Sequence, residues 1–62
     1  MTKKDYIKFA NMIRSQIQDA DSERDWYARE SAIRTASDAA SIFKADNPRF
    51  DREQFLKACG IE

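Results

Sequence analysis

The chain has no histidine and no valine, one cysteine, one glycine and one proline in 62 residues. Without histidine there is no Ser-His or Cys-His nucleophile pair, and the common His-containing zinc sites are absent. A single glycine cannot build a glycine-rich phosphate loop. One cysteine, Cys59, rules out an intrachain disulfide framework and suits a reducing compartment. No apolar run approaches the roughly 18 residues that span a bilayer, and MTKKDYIKF lacks the uninterrupted apolar core of a secretion signal. The expectation is a cytoplasmic protein, with no membrane partner. Charge of one sign is missing too: 11 basic and 11 acidic side chains cancel, so no net field draws the chain to nucleic acid or anionic lipid.

What is present is Ala, Glu, Lys, Arg and Gln in quantity, which with so little glycine and proline predicts an all-α single domain over residues 1–62. A domain this small buries only about 60% of the surface of its unfolded chain, so self-association is a natural remedy for any apolar side chain left over.

Punctuation divides the chain into three helices. The first spans about residues 3–18, capped by Thr2 with Asp5 three residues on, and carries Tyr6, Phe9, Ala10, Ile13 and Ile17 on one stripe. Ile7 and Met12 flank it. DADS then breaks the pattern, with Ser22 and Asp25 as the next cap. The second and longest helix spans about 23–44, with Trp26, Ala32, Ile33, Ala36, Ala39, Ala40 and Phe43 on its apolar side. Glu30 with Arg34, and Arg34 with Asp38, are spaced for intrahelical ion pairs. Asn47-Pro48 stops this helix.

The third, over about 52–59, has a full set of boundary signals. Asp51 caps it, Gln54 occupies the capping-box position, Phe50 and Phe55 form a hydrophobic staple, Gly60 supplies a left-handed ending and Ile61 folds back on Leu56. A helix this short hardly forms alone in water. Its punctuation makes it a lid on the core formed by the first two helices.

Chemistry has few candidates. Cys59 shares a side with Phe55 and Leu56 and reads as a small buried hydrophobe. Asp19, Asp21, Glu23, Asp25 and Glu30 match calcium-loop positions, but Arg24 stands where such a loop turns on glycine and a helix begins beyond it. The acidic connector is instead suited to the positive end of the next helix. No catalytic residue, metal site or cofactor is expected.

Three surface readings remain. Tyr27, Arg34 and Ile42 lie on the otherwise polar back of the second helix and have the composition of a small protein-binding face. Arg49, Arg52 and Lys57 around the third helix, with Lys3, Lys4 and Lys8 near the amino end, are the basis of the alternative, a dimeric nucleic-acid-binding regulator. Arg29, on the apolar side of the second helix, is expected to snorkel and pair with Asp25, or else to anchor an interface.

The opening MTKKDY and the ending NPRFDREQFLKACG resemble the two ends of short helical proteins of bacteriophages, prophages and plasmids, through Asn47, Phe50, Asp51, Phe55, Ala58, Cys59 and Gly60. That resemblance implies a mobile-element setting and a non-enzymatic accessory role, such as binding and inhibiting a host defence or regulatory protein. It assigns no catalytic or binding residue.

Overall fold

The computed structural model describes residues 1–61; Glu62, the last residue of the predicted domain, lies outside the described residues. Three helices follow one another: α1 (Lys3–Ser22), α2 (Trp26–Asp46) and α3 (Arg52–Ala58). The predicted all-α, three-helix domain is what forms. The second helix is the longest, as expected, but at 21 residues against 20 it barely exceeds α1, which runs four residues past its expected end at Gln18.

Asp5 sets the start of α1. Its carboxylate accepts from the Thr2 amide at 2.8 Å and from the Thr2 hydroxyl at 3.2 Å, closing the capping box. These bonds, the backbone one first, hold the Asp5 carboxyl below its ordinary 3.8. A depressed acid contributes above its unfolded value, so the contact is intact at neutral pH and fades only as pH falls through the folded value.

The connection between α1 and α2 departs from expectation. DADS does not break the first helix; all four residues belong to α1, and Ser22 caps nothing. The chain turns at Glu23, Arg24 and Asp25. Arg24 takes φ 55, the left-handed conformation usually left to glycine. With it the Arg24 amide donates to the Asp21 carbonyl at 3.1 Å and the Asp25 amide to the Ala20 carbonyl at 2.8 Å, the two bonds of a Schellman ending. Asp25 then caps α2 without any further linker, its carboxylate accepting from the Ala28 amide at 3.0 Å.

A left-handed non-glycine residue costs roughly 1–2 kcal/mol, whereas glycine adds about 0.5–1 kcal/mol of unfolded-state entropy. Arg24→Gly is therefore expected to stabilise the domain by up to about 1 kcal/mol, read as a higher urea midpoint with an unchanged slope. A lower midpoint would show that the Arg24 side chain contributes more than its backbone costs.

Ala10, Ile13 and Ile17 of α1 share one core with Ala32, Ala36, Ala40 and Phe43 of α2, and Ala20 is buried near the end of α1 outside that cluster. Alanines every four residues keep one face of α2 smooth, so the backbone of α1 can approach closely. At the open end of this pair Phe43 collects rings: Tyr6, Phe9, Phe50 and Phe55 stand 5.0, 5.5, 5.4 and 5.5 Å from it, centroid to centroid. Phe9 belongs to this cluster yet is exposed, a correction to its place in the core stripe, where Ala10, Ile13 and Ile17 are buried and Tyr6 is half-buried.

Beyond α2 the loop is tied from within, the Lys44 ammonium donating to the carbonyls of Pro48 at 2.8 Å and Phe50 at 3.2 Å. The short third helix follows its punctuation closely. Asp51 accepts from the Gln54 amide at 3.0 Å, Phe50 and Phe55 meet at 5.5 Å, and Gly60 has φ 86. The Ile61 amide donates to the Leu56 carbonyl at 2.9 Å, completing a second Schellman ending.

Trp26 corrects the predicted core. It is 75% exposed in the first turn of α2, while Ile33, two turns on, is half-buried against the core. Arg52 at the start of α3 bonds Ser37, eleven residues or about 16 Å along α2 from Trp26. The other end of α3 reaches α1, where Gly60 lies beside Arg14.

Candidate functional site

With α1 and α3 packed against the face of α2 that carries Ala32, Ala36 and Ala40, its opposite side is left exposed. Tyr27 is 86% exposed and Ile42 65% exposed there, with Arg34 exposed between them. At ~100° per residue Tyr27 and Arg34 lie within about 20° of one another, while Ile42 lies about 60° round from Tyr27 and about 22 Å along the axis. The predicted trio therefore marks two ends and the middle of one long face. It does not form a contiguous patch.

Arg34 pairs with neither Glu30 nor Asp38, contrary to the predicted helical pairs. Among the described residues the ion pair formed is Arg29 with Asp21, at 2.9 Å. This also corrects the expected Arg29–Asp25 pair, since the Asp25 carboxylate is held at the cap and Asp21 reaches across the tight turn instead. Arg29 thus braces the junction of α1 and α2, with its side chain partly open to solvent.

Between the two long helices, beside the exposed face, lies a hollow of about 460 Å³ lined by Gln16, Asp19, Ala20, Glu23, Tyr27, Ala28, Ser31, Ala32 and Thr35. Sequence reasoning missed it, because it depends on how α1 and α2 are juxtaposed. A second hollow of about 410 Å³ lies between α1 and α3, with Tyr6, Ile7, Phe50, Phe55 and Ala58 among its walls. Lys3, Arg49 and Asp51 line it too, so the two basic regions meet there only through one residue each and with a carboxylate beside them.

The basic trio is otherwise dispersed. Arg52 donates to the Ser37 hydroxyl at 3.0 Å, and Lys57 lies about 140° from Arg52 around α3. The calcium pattern meets a similar geometric obstacle: Asp19 and Asp21 are in the last turns of α1, Asp21 is paired with Arg29, and Asp25 is a helix cap. Among the described residues no three His, Cys, Asp or Glu side chains are grouped to hold a metal ion. Cys59 is fully buried, and that burial pushes its thiol pKa up. None of the described helices is long and apolar enough to cross a membrane.

These features define a small all-α three-helix domain in which the back of α2 is open and carries Tyr27 and Ile42. Comparison with known protein families, curated proteins and solved structures finds no match.

Proposed function

We propose that this is a non-enzymatic binding domain that acts through the exposed back of α2. The observation that carries the reading is the pair of large apolar side chains, Tyr27 and Ile42, standing open on a side of α2 that also presents Arg34, which has no ion pair among the described residues. Tyrosine and arginine are enriched among residues that dominate interfaces, and an apolar residue left exposed in a domain with so little core to spare loses burial energy that a partner would restore. The setting of a phage, prophage or plasmid, and inhibition of a host protein, rest on the likeness of the two chain ends alone.

The test is capture from a bacterial host lysate with the immobilised protein, with and without nuclease, beside the triple variant Tyr27→Ala, Arg34→Ala, Ile42→Ala. A defined protein retained after nuclease and lost with the triple variant supports the reading, provided the variant keeps its helical circular dichroism. Retention by the variant overturns it. Loss of all specific partners after nuclease would favour the nucleic-acid alternative, which requires steeply salt-dependent binding weakened by replacing Arg49, Arg52 and Lys57.

A further inference from the structure

The back of α2 is self-complementary. Tyr27, Ser31, Arg34, Asp38, Ser41 and Ala45 follow one another at alternating four- and three-residue steps, and all six are exposed. At ~100° per residue they occupy an arc of about 80° opposite the buried alanines, which is the seam spacing of a coiled coil.

Placed antiparallel on the same seam of another copy, the layers match in size and charge. Tyr27 lies over Ala45 of the second copy, Ser31 over its Ser41, and Arg34 over its Asp38, each repeated by the two-fold axis. The small side chains at Ser31, Ser41 and Ala45 let the helices approach, and the large Tyr27 always meets the smallest of them. A parallel arrangement would instead set Arg34 against Arg34 and Asp38 against Asp38, so the charges select one direction. Neither residue is committed within the chain, where the ion pair among the described residues is Arg29–Asp21.

The flank gives independent support. In the same register Ile42 falls beside Ala28 of the second copy, at the hollow of about 460 Å³ that Tyr27, Ala28, Ser31 and Thr35 help to line. An apolar side chain that is 65% exposed thus meets a ready concavity, twice per pair. We infer that the partner of this face is a second copy of the chain, docked through α2 as an antiparallel two-fold homodimer. The inference rests on the reading of the α2 back as a protein-binding face and names its occupant.

One helix pair buries less than a standard interface, so the dimer is weak and concentration-dependent. Sedimentation equilibrium of the full chain from about 1 μM to about 1 mM, the range in which such contacts are populated, is expected to show a monomer–dimer transition. Arg34→Asp and Asp38→Arg should each remain monomeric, with circular dichroism confirming that both stay helical. An equimolar mixture of the two should recover the dimer, because the carboxylate introduced in one variant then faces the guanidinium introduced in the other. A monomeric wild type, single variants that dimerise like wild type, or a mixture that stays monomeric would each overturn the inference. In those cases the triple-variant capture separates the two ideas: a partner lost with the variant leaves the binding face standing, and a partner retained removes it as well.

Discussion

Phe43→Ala is expected to leave the domain largely unfolded at room temperature. The ring is buried and touches four others, two from α1 and two from the segment that forms and precedes α3. Removing a buried phenylalanine costs about 3–5 kcal/mol, and aromatic pairs contribute about 0.5–1.5 kcal/mol each beyond their area. A chain of 62 residues has only about 3–9 kcal/mol in total. The loss is therefore comparable with the whole stability. Circular dichroism should show weak helicity and no cooperative melt, whereas Phe9→Ala, at the exposed edge of the same cluster, should melt cooperatively at a modestly lower temperature. A Phe43→Ala protein melting within a few degrees of wild type would mean that α3 is not held by this cluster.

The second large effect runs in the opposite direction of volume. Ala36 and Ala40 are completely buried where α2 meets its neighbours, so there is no space into which a longer side chain could extend. Ala36→Leu is expected to cost about 1–3 kcal/mol or more, because the helices must separate and loosen the contacts around Ile13 and Ile17. Leucine is a good helix former, so propensity does not explain such a loss. Ser15→Leu on the exposed side of α1 serves as the control and should change stability by no more than about 0.5 kcal/mol. Equal denaturant midpoints for the two variants would show that the helices are not closely packed at Ala36.

The places where sequence and structure agree share a physical basis. The limits of α3 were legible because each of its signals is local: a carboxylate three residues from the amide it caps, two phenylalanines five apart, a glycine at the end. The end of α1 was not, because its left-handed residue is Arg24 and carries no compositional mark. Asp19, Asp21 and Ser22 have the composition of a turn, yet tertiary packing of Ala20 and the Schellman bonds extend the helix through them. Trp26 was placed in the core by periodicity, which says where a side chain points and nothing about whether another element extends far enough to cover it. On the candidate face, exposure of Tyr27 and Ile42 was legible for the same reason reversed, since the residues that recur near their angle are Ser31, Arg34, Asp38 and Ser41. The hollow beside them was not, being made by two helices together.

Cys59 gives α3 a chemical clock. The turn at Arg24 joins α1 to α2 so tightly that their contacts close a short loop, while α3 is held to the remainder by the Phe55 ring, the Arg52–Ser37 bond and the contacts of its last turn. Segments secured in this way open as units, on their own timescale, ahead of global unfolding. The thiol is fully covered while α3 is docked, and it becomes reactive only when that unit lifts. The one thiol of the chain therefore reports any lifting of α3 as a rate of alkylation.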